Sequence, residues 1–259
     1  MFYTFLKSIN QYFLFTIFLN MKEKQFEYVN KFDPSTKVIL KTNEKIFSST
    51  ATSDFLIKGV AENIQYVDKL LDLGCGNGIV GITLSKFLKV KTIYCSDISK
   101  EAVKITNINI KLNNIEGIAI SSDIFSHWSN HKFNIIVNDI SGISDEIAHI
   151  SNWFSNVPCN SGIDGSKNTQ KVLEESKKYL VKEGKLFFPV ISLSNGKKIL
   201  EIAEKYFKNV SIISHNKWFL PDDFLHYKST LTRLKKKGWI DYCEKFGKLI
   251  CWTDVYMAY

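Results

Sequence analysis

Between Leu70 and Gly81 the chain reads Leu-Leu-Asp-Leu-Gly-Cys-Gly-Asn-Gly-Ile-Val-Gly, an apolar run closed by an acid and a series of glycines. An apolar run this short, followed at once by turn-forming residues, reads as a buried strand that passes through a glycine loop into a helix. Only glycine lets the backbone turn so tightly and lie against a ligand with no Cβ in between. Such a strand–loop–helix unit opens a parallel α/β sheet, and the loop has the form of a nucleoside site.

Two ligands fit that form. Gly76, Gly78 and Gly81 satisfy the dinucleotide spacing G-x-G-x-x-G, with Asp97 near the distance expected of a ribose-binding acid. The residues ahead of them point elsewhere. Asp72 stands two residues before Gly74-Cys75-Gly76-Asn77-Gly78, and this segment resembles the glycine motif of class I S-adenosylmethionine-dependent methyltransferases. The resemblance implies that Asp72, Gly74, Cys75, Gly76, Asn77 and Gly78 form a site for S-adenosylmethionine. A carboxylate beside the loop complements a cationic sulfonium, whereas it would repel a pyrophosphate.

Later stations agree. Thr92–Asp97 is a second apolar strand ending in an acid whose two oxygens can accept from both ribose hydroxyls; Ile98 follows and Ser99 opens a helix. Ile118–Ser121 reads as a third strand, followed by Ser122-Asp123-Ile124-Phe125. In the resembled family the acid here accepts the adenine amino protons and its apolar neighbour covers the ring, roles that fall to Asp123 and Ile124. Taken singly, any of these aspartates reads first as a solvated turn residue or helix cap; it is the three in the correct order that carry the reading.

The resemblance implies an α/β fold: a Rossmann-like, doubly wound, seven-stranded and mostly parallel sheet whose last strand is antiparallel. With 259 residues and 45% hydrophobic content, the chain can bury one full core of this kind. We expect residues 49–259 to form the methyltransferase domain and residues 1–48 an N-terminal extension. The net charge of +8 comes from lysine with a single arginine, Arg233. Arginine's planar fork is the preferred reader of phosphates and guanine edges, so the charge argues weakly for a nucleic-acid partner. The run Arg233, Lys235, Lys236, Lys237 reads first as a solvated helix end. Five cysteines, with no C-x-x-C pair, read as free thiols of a reducing, cytoplasmic compartment, and no metal-ligand spacing emerges.

Residues 1–20 are crowded with Phe, Leu, Ile and Tyr, and Lys7 interrupts them. The uncharged span from Ser8 to Met21 is shorter than the roughly 20 apolar residues that cross a bilayer. Three readings stay open: an upstream start codon with Met21 the true beginning, a helix packed on the domain, and a peripheral membrane anchor. Further on, Thr52 or Ser53 is expected to cap a helix running to about Ile64, and Ser49–Thr52 to form part of a cofactor lid.

Chemistry is expected after the fourth strand, at Phe133-Asn-Ile-Ile-Val-Asn-Asp-Ile-Ser-Gly142, because open α/β sheets bind ligands beyond the carboxyl ends of their strands. Release-factor glutamine methyltransferases carry Asn-Pro-Pro-Tyr here. This chain has Asp139 in the polar place, Ile140 and Ser141 for the prolines, and Gly142 for the aromatic. That departure argues against a standard nucleobase or glutamine acceptor. Asp139-Ile-Ser is also similar to the Asn-Ile-Leu segment of ribosomal-protein lysine methyltransferases. Asp139 is the catalytic candidate: a carboxylate can accept a hydrogen bond from an amine and aim its lone pair. The alternative is a role in shaping the loop.

Downstream, Asn160-Ser-Gly-Ile-Asp-Gly165 resembles a turn of the glutamine methyltransferases. A helix is expected from about Thr169 to Leu180, ended by Gly184, then a strand from Lys185 to Ile191, a helix to Phe207, and strands at Val210–Ser214 and Leu249–Met257. Trp153 and Phe154 read either as pocket lining or as core, and Trp218, Trp239 and Trp252 as core. The function expected is methyl transfer from S-adenosylmethionine to an amine of a protein or small metabolite. An RNA or DNA methyltransferase and a non-catalytic cofactor-binding module are the alternatives.

Overall fold

The computed structural model describes residues 23–47, 50–154, 157 and 159–259. Residues 1–20 and Ser49, for which readings were given above, lie outside them.

The chain opens with a hairpin, β1 (Lys24–Val29) paired antiparallel with β2 (Lys37–Thr42), and a helix, α1 (Ala51–Asn63). Thr50, not Thr52 or Ser53, caps α1, its hydroxyl accepting from the Thr52 amide at 3.3 Å. A regular alternation follows: β3 (Lys69–Leu73), α2 (Ile79–Leu88), β4 (Thr92–Asp97), α3 (Lys100–Leu112), β5 (Gly117–Ser121) and β6 (Phe133–Asn138). The second half holds α4 (Asp145–Ile150), α5 (Lys167–Glu175), β7 (Leu180–Ile191), α6 (Gly196–Tyr206), β8 (Val210–Phe219), α7 (Lys228–Lys236), the short β9 (Cys243–Lys245) and β10 (Lys248–Ala258).

The sheet order is β5-β4-β3-β6-β7-β10-β8, with β9 appended to β10. The first five strands run parallel, and β10 is antiparallel to both of its long neighbours, β7 and β8. The expected doubly wound sheet with a reversed last strand is therefore present. Strand order turns at β3, which lies between β4 and β6, and this is where such sheets open a ligand crevice.

Alternation along the strands divides the apolar side chains between two faces. Leu70, Ile93, Ile135, Val137 and Phe187 pack with Leu56, Ile57 and Val60 of α1, with Val80 and Leu84 of α2, and with Val38 and Leu40 of the hairpin. Leu71, Leu73, Ile136, Leu186 and Phe188 face the other way, onto Trp128, Val172, Leu173, Ile199 and Ala203. A smaller third core lies under α4 and α7, where Trp153 packs at 5.2 Å from Phe224. Trp153 thus belongs to packing, whereas Phe154 stacks on Phe47 at 4.7 Å between centroids.

One strand begins earlier than its sequence suggests. Gly184 does not end a helix: α5 gives way to a single 3-10 turn at Ser176–Lys178, and β7 starts at Leu180. A bulge accommodates the extra residues, since β6 pairs Phe133 with Leu180 but Ile135 with Lys185, and Glu183 takes a left-handed φ of 66°.

The hairpin is fastened to the main body by two asparagines four residues apart, Asn109 on α3 and Asn113 at its C-cap. Asn113 exchanges bonds with both the amide and the carbonyl of Ile39, at 2.9 and 2.7 Å. Asn109 does the same with Lys41, at 2.7 and 2.9 Å, and donates a further bond to the carbonyl of Asn77 in the glycine loop at 2.8 Å. Each side-chain amide thus imitates one rung of a β ladder along the free edge of β2. Asn109→Ala removes these partners and leaves buried backbone groups unpaired, so we expect a loss of about 2–4 kcal/mol, read as a lower urea midpoint. An unchanged midpoint would show that the hairpin is held by its apolar face alone.

Candidate active site

The glycine loop lies at the carboxyl end of β3. Gly74, Gly76 and Gly78 have φ of 75°, 53° and 85°, the left-handed region open to glycine at little cost. The Gly74 and Cys75 amides donate to the carbonyl of Ser96 at 2.8 and 3.0 Å, and Thr106 Oγ1 donates to the carbonyl of Gly76 at 2.8 Å. Asn77 is buried, and its side-chain oxygen accepts from the Ile79 amide at 3.2 Å, where α2 starts.

Asp72 is wholly buried behind this loop. One oxygen accepts from the Gly81 amide at 2.9 Å, and the other, Oδ1, has no partner among the described residues. Burial, with the charge of Asp139 added, pushes its carboxyl up to about 8.

Asp97, at the end of β4, accepts from the Gly76 amide through Oδ2 (3.0 Å) and from the Ser99 amide through Oδ1 (2.9 Å). Burial raises its carboxyl above the usual range against the pull of these backbone bonds. Each carboxylate oxygen has a second lone-pair direction, so a ribose diol can still donate to both. Beside it Ile98 is 66% exposed, a large apolar side chain held out of the core. Asp123 and Ile124 follow β5, the first exposed and the second half-buried with φ 51°.

Asp139 follows β6. Its amide donates to the carbonyl of Leu73 at 2.9 Å, and its Oδ2 accepts from the Ser53 hydroxyl at 2.8 Å. Burial pushes the carboxyl up to about 7, opposed by the Ser53 bond. The two loops touch: a Cβ on Gly74 would lie 2.8 Å from Ile140 Cα. The turn Asn160–Gly165 braces the same loop from behind. Ser161 Oγ donates to the Ser141 carbonyl at 2.7 Å, Ser144 Oγ to the Ile163 carbonyl at 2.8 Å, and a Cβ on Gly165 would meet the Ile143 carbonyl carbon at 2.5 Å.

Every candidate site residue therefore stands at one edge of the sheet, on the strand ends around the topological turn. The residues also fit an adenosyl ligand. A Cβ added to Gly76 would meet nothing closer than 3.9 Å, an acid waits for a diol, and an apolar side chain stands free beside it. Sequence reasoning missed Ser53, Thr106, Asn109 and Ser161. Each acts through side-chain bonds formed across 20 or more residues, and a lone serine, threonine or asparagine gives no periodic signal.

Two of the four residues of the basic run have acidic partners. Arg233 pairs with Glu146, Lys235 with Asp241 at 2.7 Å, and the neighbouring Lys228 with Glu244 at 2.7 Å and Lys248 with Asp222 at 2.6 Å. Among the described residues no cluster of three or more His, Cys, Asp or Glu is placed to hold a metal, and no helix is long and apolar enough to cross a membrane.

Residues 37–139 match the family model of the methyltransferase small domain. The chain is 31% identical over 150 residues to a ribosomal protein L11 methyltransferase of Thermoanaerobacter pseudethanolicus; the match takes in 58% of this chain but only 40% of that protein. It is 25% identical over 195 residues to a release factor glutamine methyltransferase of Lactococcus lactis, covering 73% of this chain and 72% of that one. Among solved structures, the T. thermophilus 16S rRNA N2 G1207 methyltransferase, in complex with AdoMet and guanosine, shares the fold. Its TM-score is 0.60 at 13% identity, over 91% of this chain and 50% of that chain. Over residues 37–139 the chain is therefore similar to the methyltransferase small domain, and it shares the Rossmann-like fold of S-adenosylmethionine-dependent methyltransferases.

Proposed function

We propose that the chain binds S-adenosylmethionine across the ends of β3, β4 and β5 and catalyses transfer of its methyl group to an amine nitrogen of a protein or small metabolite held beside Asp139. The observation that carries this reading is the contact between the two loops: Gly74, in the cofactor loop, presses on Ile140, the residue after Asp139. Donor and acceptor sites in such contact meet the main demand of a direct displacement, which is positioning.

When bound, S-adenosylmethionine supplies an electrophilic methyl group on a positively charged sulfur. Asp97 would hold the ribose hydroxyls, Ile98 and Ile124 would flank the adenine, and Asp123 would accept its amino protons. Gly74, Cys75, Gly76, Asn77 and Gly78 form the wall of the site, and Asp72 holds that wall in shape through Gly81. As a carboxylate, Asp139 accepts an N–H of the acceptor at Oδ1 and turns the nitrogen lone pair toward the methyl group. Proteins are favoured as acceptors by the names of the relatives, a release factor and a ribosomal protein. Nucleic acid is disfavoured by the single arginine of the chain, Arg233, and by its pairing with Glu146.

The test is transfer of tritiated methyl from S-adenosylmethionine into cell extract, separated into protein, RNA and small-molecule fractions. Label removed by protease, or found in small amines, is the expected result. Label removed only by RNase would overturn the amine reading, and cofactor binding with no transfer to any fraction would make the chain a binding module.

Cofactor binding should also expel protons. Asp72 and Asp139 are held protonated near neutral pH, up to about 8 and about 7, and an arriving cation favours their ionised forms. Affinity for S-adenosylmethionine should therefore rise between pH 6 and 8, by up to about tenfold per pH unit for each proton released. S-adenosylhomocysteine, whose sulfur is neutral, should show a much flatter dependence. Calorimetry in phosphate and in Tris separates proton release from intrinsic heat; equal heats in both buffers would refute the linkage.

A further inference from the structure

We infer that Ser53 is a positioning residue for Asp139: its hydroxyl takes one carboxylate oxygen and leaves the other to the acceptor nitrogen. This rests on the reading of Asp139 as the group that meets the acceptor.

Ser53 is 4% exposed and lies in the first turn of α1, 86 residues from its partner in sequence. Its Oγ donates to Asp139 Oδ2 at 2.8 Å, and Oδ1 has no partner among the described residues. One bond to one oxygen fixes the rotation of a carboxylate about its Cβ–Cγ axis, which for an unpartnered group is broad. The direction of the free lone pairs is then set by α1 rather than by solvent.

The turn that carries Ser53 is anchored on both sides. Asp54 receives Tyr28 Oη and Lys31 Nζ from the hairpin. Thr52 Oγ1 lies 3.4 Å from Thr253 Oγ1, which also accepts from Trp218 Nε1 at 3.1 Å. A helix end tied at three successive residues presents the Ser53 hydroxyl at a fixed point. Such fixing is what a positioning group requires, and a plain helix-capping role does not explain it, because the cap belongs to Thr50.

The ionisable group facing Asp139 from the neighbouring strand is Asp72, whose carboxyl is raised by burial and by the charge of Asp139. Against the burial of Asp139, the Ser53 bond favours its carboxylate form. Removing it should shift the proton equilibrium of Asp139 as well as its orientation.

The test needs no acceptor. In the full chain labelled at aspartate 13Cγ, the resonance absent from Asp139→Asn is assigned to Asp139 and titrated by NMR. We expect a midpoint near pH 7 in the parent and one about one pH unit higher in Ser53→Ala. Ser53→Thr, which keeps the hydroxyl, should return it to the parent value. In parallel, methyl transfer into extract should fall about tenfold in Ser53→Ala, with affinity for S-adenosylmethionine within about twofold of the parent at pH 8. If Ser53→Ala melts too early to titrate, Ser53→Cys, nearly isosteric with a weak donor, reads the same shift.

An unmoved midpoint in folded Ser53→Ala or Ser53→Cys would overturn the inference while leaving Asp139 its role. A titrating Asp139 whose loss leaves transfer intact would instead remove the reading on which the inference stands.

Discussion

Asp139→Asn should lower methyl transfer at saturating S-adenosylmethionine by about 10²–10⁴-fold. The substitution keeps size and can still bond Ser53, so the loop against Gly74 should hold its shape. What disappears is a charge that accepts an N–H and withdraws its proton. The sign of the accompanying pH effect follows from the site. Burial holds the carboxyl protonated up to about 7, so the competent carboxylate accumulates only above that pH. Transfer by the parent chain should rise from pH 6 to 8, and the residual activity of Asp139→Asn should lack that rise. A variant with parental turnover would reduce Asp139 to a loop-shaping residue.

Gly74→Ala should be the most damaging single-methyl change in the site. At φ 75° an alanine meets backbone strain of about 1–3 kcal/mol. Its Cβ would also lie 2.8 Å from Ile140 Cα and 2.9 Å from Ile140 N, backbone atoms of the loop after β6 that cannot swing aside as a side chain can. Overpacking of this kind adds about 1–3 kcal/mol. We expect a total near 2–6 kcal/mol in urea unfolding, together with loss of measurable methyl transfer, since any relief must push the two loops apart. Gly76→Ala gives the internal comparison. Its φ is also positive, yet its Cβ would meet only ordinary contacts at 3.9 and 4.0 Å. It should show the strain without the clash, and equal destabilisation of the two variants would refute the steric account.

Much of this architecture was legible in the chain because it rests on local repetition. Strands β3, β4 and β6 are apolar runs that stop at an acid or an amide, and Ser99 caps α3 as its position suggested. Glycines that take positive φ announce themselves by type. The start of β7 was not legible, because Lys182-Glu183-Gly184 looks like a helix end and only pairing with β6 turns it into a bulge. The cap of α1 was misplaced by two or three residues for a similar reason: Thr50, Thr52 and Ser53 are all competent caps, and tertiary partners chose among them. Thr52 is drawn toward Thr253 and Ser53 to Asp139, which leaves Thr50 to finish the helix. The acidic residues of the site were found, but not the polar side chains that aim them.

The paired asparagines of α3 carry a consequence for how related chains can diverge. Asn109 holds Lys41 of the hairpin and Asn77 of the cofactor loop with the same carboxamide. An insertion that slides β2 by one residue would turn its side chains to the opposite face and strip the loop of a brace at the same stroke. Length changes are therefore better tolerated in the turn at the hairpin tip, leaving β2 one of the least adjustable parts of the molecule although it contributes no group to the chemistry.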